Sequence, residues 1–222
     1  NLVSATLNGT AIDGAHFDGT RLQLEALAET NTLVVVAHCA YSNTGEGLHK
    51  FTDPADGEIY LYSQFEIADA RQVFACFDQP SLKATYRFTV DAPAHWRVFS
   101  NTNADILVNG ENARHVFAAT KRMSTYITAV VAGPYYGVTD SYTGKFGTYP
   151  LGLYCRASLK EHLDVEDMFT ITKQGFEVFE RDCLIYLGTC VAAKGQGKAG
   201  KPCFAYTILG ASLNESGRLA VG

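Results

Sequence analysis

Tyr60-Leu61-Tyr62-Ser63-Gln64-Phe65-Glu66, followed by Ala70-Arg71-Gln72-Val73-Phe74-Ala75-Cys76-Phe77-Asp78-Gln79-Pro80, decides how this chain is read. The first part has the period-two pattern of a strand. In that geometry Tyr60, Tyr62, Gln64 and Glu66 share one face, while Leu61, Ser63 and Phe65 take the other. One face thus holds two phenols, an amide and a carboxylate within about 20 Å of chain. Such a face is either a solvated sheet surface or a recognition strip, where the carboxylate receives a cation and the amide orients a carbonyl. The second part predicts a short helix over Ala68–Cys76, closed by Asp78-Gln79-Pro80.

On either side, residues 1 to about 157 read as short strands punctuated by Gly, Asn, Asp and Pro. Val3–Leu7 stops at Asn8-Gly9, a two-residue hairpin signal. Arg21–Leu27 alternates, and Thr32–Ala37 is apolar on both faces and reads as a central strand. Further strands are predicted at Ile59–Phe65, Ala84–Asp91, Trp96–Ser100, Arg114–Ala119, Tyr126–Val131 and Pro150–Cys155. The expected fold class is mainly β, an antiparallel sandwich or saddle, followed by one helix over 158–182. Asp164 is the expected N-cap of that helix, and Val165, Phe169, Phe176 and Phe179 form its apolar stripe. Gly175 in the middle means close packing there or a weak helix. Residues 183–222 lose periodicity and are expected to form a poorly ordered tail.

Composition narrows the function classes. The chain has 222 residues, 47% apolar and 18% charged, enough to bury a core without disulfides or a metal. A net charge of −5 argues against a phosphate-tracking nucleic-acid binder. No apolar run reaches the roughly 18 residues of a membrane span, so no membrane partner is expected. Asn1-Leu2-Val3-Ser4-Ala5-Thr6 has neither a basic nor an apolar leader segment, and the expected location is cytoplasmic. Without an initiator Met, the front strands of the β-domain are expected to be missing.

The six cysteines (39, 76, 155, 183, 190 and 203) include no C-x-x-C pair, and Cys39 and Cys76 read as buried reduced thiols. The six histidines (16, 38, 49, 95, 115 and 162) include no pair four residues apart, so no metal site is expected from this chain. Gly195–Lys201 fits G-x-x-x-x-G-K, but Pro202 stands where a magnesium-binding hydroxyl is needed, and nucleotide binding is rejected.

The Gln64-Phe65-Glu66 strand and the following R-x-x-F-x-C-F-D-x-P run resemble the N-terminal β-domain of the aminopeptidase N family of zinc metallopeptidases, in its bacterial, actinobacterial-type branch. Phe99-Ser100-Asn101-Thr102, Ser124-Thr125-Tyr126-Ile127, Tyr149–Tyr154 and the 164–180 helix extend the resemblance from about Val3 to about Glu180. It implies that Gln64 and Glu66 are substrate-binding residues that hold the free α-amine of a peptide. It also implies zinc as the cofactor of the full-length family, peptide N-termini as partners, and 158–182 as the entrance to a catalytic domain. The chemistry suits an exopeptidase, because the α-amine is the charge that marks a chain end.

The chain departs from the family after the helix. Neither the G-x-M-E-N loop nor the H-E-x-x-H helix occurs, so no catalytic residue and no metal ligand are assigned, and the chain alone is expected to be inactive. The tail beyond Cys183 is open to two explanations, an out-of-frame or read-through product and a genuine end that caps a docking face. A stand-alone β-sandwich interaction module and a purely structural domain are the competing functions. Self-association through an exposed docking face is expected of a severed domain.

Overall fold

A computed structural model of the chain describes residues 1–182 together with the backbone of 211–213 and 219–221. The chain opens with β1 (Leu2–Leu7) and β2 (Thr10–Ala11). Asn8 and Gly9 both take positive φ, 52° and 83°, as the two-residue hairpin signal requires. β3 (Leu33–Ala37) pairs with β1, giving a sheet ordered β2-β1-β3. β3 is therefore an edge strand, not the central one expected, and Leu33, Val34 and Val36 are exposed.

The alternating run Arg21–Leu27 does not form a strand; only an isolated bridge joins Leu22 to Phe17. Asp18 accepts the amide hydrogens of Thr20 and Arg21 at 2.7 and 2.6 Å, which bends the entry. Ala26 at φ 51° then ends any extended run, since a left-handed residue cannot continue a strand.

β4 (Gly47–Thr52), β5 (Ile59–Gln64), β10 (Val131–Gly133) and β7 (Arg97–Phe99) form a four-stranded antiparallel sheet in the order β4-β5-β10-β7. β6 (Thr89–Pro93), β9 (Asn112–Phe117) and β8 (Ala104–Asn109) form a second, ordered β6-β9-β8. Leu61, Ala92, Val98, Phe117 and Ala132 come from both sheets and close the core between them. β11 (Tyr136–Gly144) and β12 (Gly147–Cys155) make a long hairpin around Lys145-Phe146.

Of the predicted strands, two are displaced: Ala84–Asp91 becomes strand only from Thr89, with an isolated bridge at Ala84, and within Tyr126–Val131 the segment Thr125–Ile127 is a 3₁₀ turn and the strand begins at Val131. The Thr128 hydroxyl donates to the Thr125 carbonyl at 2.7 Å, which closes that turn. The helix expected over 68–76 shrinks to a 3₁₀ turn at Ala70–Gln72. Asp78 takes the Arg71 amide hydrogen at 3.0 Å, and Phe74 turns inward against Phe65 and Phe88.

The final helix, α1, spans Val165–Asp182, shorter than 158–182 because Ala157–His162 is a 3₁₀ helix. Asp164 caps it, accepting the Asp167 amide hydrogen at 3.2 Å. Val165, Phe169 and Phe176 pack on Val138, Tyr142, Leu151 and Leu153 of the β11–β12 hairpin. Nothing lies within 4 Å of where a Cβ on Gly175 would stand, so close packing does not explain that glycine. Cys39 is exposed rather than buried, being at the end of the uncovered strand β3; Cys76 and Cys155 are half-buried, and all three are free thiols. The expectation of a poorly ordered tail over 183–222 lies outside the described residues, apart from two short strands, Ala211–Leu213 and Leu219–Val221, that pair antiparallel.

Candidate functional site

Residues around the far end of β5 build the site. β4 and β5 pair from Thr52↔Ile59 at the turn to Gly47↔Gln64 at the other end. Tyr60 and Leu61 are buried, Tyr62 and Gln64 are exposed, and Phe65 is buried just past the strand. β5 pairs with β4 without a break in register, so Tyr60, Tyr62 and Gln64 share one face as expected, and Tyr60 is buried there against Tyr135. Tyr60 donates its hydroxyl hydrogen to Asp56 Oδ2 at 2.8 Å and accepts the Ala157 amide hydrogen at 2.9 Å. Burial and the Asp56 carboxylate push its phenol up to about 12.

β5 stops at Gln64, so Glu66 lies in the turn that follows and not on the strand. The Asp69 amide hydrogen closes that turn on the Phe65 carbonyl at 3.1 Å, and the Glu66–Ile67 peptide is cis. Phe65, Phe74 and Phe88 meet edge to face at 5.9 Å between successive rings, and Phe88 stacks on Tyr86. Tyr86 in turn shares a 2.6 Å hydrogen bond with the Thr125 hydroxyl. This aromatic run anchors the backbone on which Gln64 and Glu66 stand, while both side chains stay exposed. Neither makes a side-chain hydrogen bond or ion pair among the described residues.

Two neighbours escaped the sequence reading. Gly47, at φ 65°, is the β-partner of Gln64, and a Cβ there would come within 3.1 Å of Gln72 Oε1. Gln72 is held by donating to Asp69 Oδ1 at 2.6 Å, so its amide covers the Gly47–Gln64 pair. On the strand's next exposed position, the Tyr62 ring lies 4.7 Å from that of His49, tilted by 33°, and His49 Nδ1 accepts the Gly45 amide hydrogen at 3.0 Å. Glycines in a loop of this kind were a usable signal, since they let backbone approach closely; the Gln72 contact has no local pattern.

A cleft of about 610 Å³ opens elsewhere, between β7, β8 and the β11–β12 hairpin. Tyr62, Phe99, Tyr135 and Tyr154 line it, whereas Gln64 and Glu66 do not. Burial drives the Tyr135 phenol up to about 12. The cleft is mostly apolar, and among the described residues no charged side chain lines it, so a cation would be better received at Gln64 and Glu66. There an exposed carboxylate accepts hydrogen bonds from a cation and an amide offers both a donor and an acceptor.

Residues 20–127 match the family model described as Peptidase M1 N-terminal domain. This chain carries a peptidase M1 N-terminal domain. Over 177 residues, 79% of the chain, it is 50% identical to Aminopeptidase N of Streptomyces lividans and covers 20% of that protein. It is 32% identical over 166 residues to Aminopeptidase N of Acetobacter pasteurianus, covering 72% of this chain and 45% of that one. The chain thus spans from a fifth to under a half of the length of these relatives. A crystal structure of Legionella pneumophila aminopeptidase A in complex with aspartic acid has the same fold, with a TM-score of 0.66 over 82% of this chain and 21% of that one, at 19% identity.

Proposed function

We propose that this M1 domain is the amine-recognition part of a metallo-aminopeptidase, an enzyme that removes residues from peptide N-termini. Gln64 and Glu66 are its substrate-binding residues: Glu66 pairs with the protonated α-amine, and Gln64 orients the first carbonyl. One observation carries this reading. Two exposed polar side chains without intramolecular partners among the described residues, Gln64 at the end of a strand and Glu66 in the turn after it, stand on backbone anchored by buried rings. An ammonium–carboxylate hydrogen bond contributes roughly 1.5–3 kcal/mol, so one such contact selects a free amine without binding it tightly.

Zinc is the cofactor that the family resemblance implies. Among the described residues no three His, Cys, Asp or Glu side chains converge as metal ligands, so these residues do not fit the ion. In our reading the chain alone does not cleave peptides. Its location is cytoplasmic and its partners are peptide N-termini, without nucleic acid or membrane; among the described residues no helix is long and apolar enough to cross a bilayer.

The test is a titration of isotope-labelled chain with L-alaninamide and, in parallel, with N-acetyl-L-alaninamide. The expected Kd for the free amine is about 1 mM or weaker, about −4 kcal/mol, with shifts centred on Gln64 and Glu66 and lost at least tenfold in Glu66→Gln. Equal shifts with the acetylated compound, or none with the free amine, overturn the assignment. Turnover of an alanyl chromogenic amide by homogeneous chain with added zinc overturns the expected inactivity.

A further inference from the structure

The other end of the β4–β5 hairpin grips three consecutive residues that lie between β12 and α1. Asp53 accepts a hydrogen bond from the Ser158 hydroxyl at 2.6 Å and an ion pair from Arg156 at 3.0 Å, both on Oδ2. The Tyr60 hydroxyl accepts the Ala157 amide hydrogen, and the Arg156 guanidinium lies 4.5 Å over the Phe51 ring. Arg156, Ala157 and Ser158 are thus each held by the hairpin that ends at Gln64.

The hairpin turn does not need these contacts. Asp53 Oδ1 accepts the Ala55 amide hydrogen at 2.9 Å, the Asp53 amide donates to the Glu58 carbonyl, and Gly57 donates back to the Asp53 carbonyl. The second carboxylate oxygen is therefore available to the 156–158 segment. Asp53 is only 3% exposed, and a buried carboxylate without partners is strongly disfavoured. The Ser158 hydroxyl and the Ala55 amide, with the Arg156 charge behind them, hold its carboxyl below the usual range.

We infer that Asp53, Arg156 and Ser158 form a latch that fixes the β4–β5 hairpin, and with it the Gln64 end of β5, on the segment that enters α1. Because β5 is locked to β4 over its whole length, seizing one end of the hairpin sets the position of the other, about 17 Å away. Arg156 and Ser158 are then positioning residues: they touch no substrate, but they set where the amine anchor stands relative to α1. That role rests on the proposed amine recognition at Gln64 and Glu66; the latch itself does not.

Asp53→Asn isolates the latch from the turn. The asparagine Oδ1 still accepts from Ala55, but its NH₂ cannot accept from Ser158 or pair with Arg156. Amide hydrogen exchange of the 222-residue chain is the readout. Asp53→Asn is expected to speed exchange over 156–164, the Ala157 amide included, at least tenfold, while amides of the β6-β9-β8 sheet stay within twofold. Ser158→Ala, a milder change, should do the same by a smaller factor, and in the Asp53→Asn background it should add less than twofold. Unchanged exchange over 156–164 in either single variant overturns the latch. So does equal acceleration of both regions, which marks general destabilisation. The L-alaninamide titration stands apart: if wild type ignores the amine while the exchange pattern appears, amine recognition fails and the latch stands.

Discussion

β3 reads Leu33-Val34-Val35-Val36-Ala37 and β5 reads Ile59-Tyr60-Leu61-Tyr62-Ser63-Gln64. On composition alone β3 is the better candidate for the centre of a sheet. Among the described residues it pairs only with β1, and Val34 and Val36 are 51% and 49% exposed. β5, with two phenols, a hydroxyl and an amide, sits between β4 and β10 and buries Tyr60 to 1%. The difference lies in what each strand's polar groups can do. The Tyr60 hydroxyl has both a donor and an acceptor waiting, and the Ser63 hydroxyl accepts the Val130 amide hydrogen at 2.8 Å. Polar groups that are satisfied on burial do not keep a strand out of the core. Apolar residues that find no facing layer do not create one.

The sharpest test of that contrast is at Phe65, which is buried next to β5 and begins the ring sequence through Phe74 and Phe88. Phe65→Ala should cost about 3–5 kcal/mol, a large part of the roughly 5–15 kcal/mol that holds a domain of this kind together. Urea unfolding followed by the fluorescence of Trp96 measures it. A loss under about 1 kcal/mol would mean that the rings do not anchor the turn bearing Glu66.

His115 probes the opposite case, a buried polar group without partners. It lies on β9 between Val90 and Ile106, is almost fully buried, and neither ring nitrogen meets a hydrogen-bond partner among the described residues. Burial holds its basicity below the ordinary histidine value. His115→Leu should raise stability at pH 7 by about 1–2 kcal/mol, because an unpaired buried group carries its desolvation cost. The unfolded chain takes up the proton near pH 6.5 while the folded chain resists it. Wild type therefore loses stability as pH falls below about 6.5, by up to about 1.4 kcal/mol per unit, and the variant does not. Asp53, Asp91 and Asp140, whose carboxyls are held low by their partners, lose their contribution only as pH falls below about 4. Parallel stability curves for wild type and variant between pH 5 and 7 would show that His115 is solvated or paired.

Sequence legibility follows the same division. The β1–β2 hairpin was readable because Asn8-Gly9 is one of the few pairs that accept two positive φ angles. The helix start was readable because Asp164 stands where a free amide must be capped. β11 was missed because Gly137, Asp140 and Gly144 weaken every local strand signal; its register comes from nine paired positions with β12. β8 was missed because Ile106-Leu107-Val108 shows no alternation, and all three are exposed. At the candidate site, the residue pattern alone left Gln64 and Glu66 open between a solvated face and a recognition strip, and the family resemblance singled them out. Gly47 under Gln72, and Asp53 holding Ser158 from 105 residues away, arise only when distant segments meet.

The smallest expected effect belongs to β3. Val34→Lys should change stability by no more than about 0.5 kcal/mol, since half of the side chain is already in water and only β1 adjoins the strand. The same substitution should lower self-association, because a lysine on an edge strand charges the site where a second strand would pair. Sedimentation velocity over a range of chain concentrations, with urea unfolding alongside, separates the two effects. A loss of 2 kcal/mol or more that grows with wild-type concentration would mean that β3 is covered in solution by another copy. Burial would then be common to β3 and β5, and the contrast would lie in whose chain supplies the cover. An equal loss at every concentration would place Val34 in the core of the single chain and remove the contrast altogether.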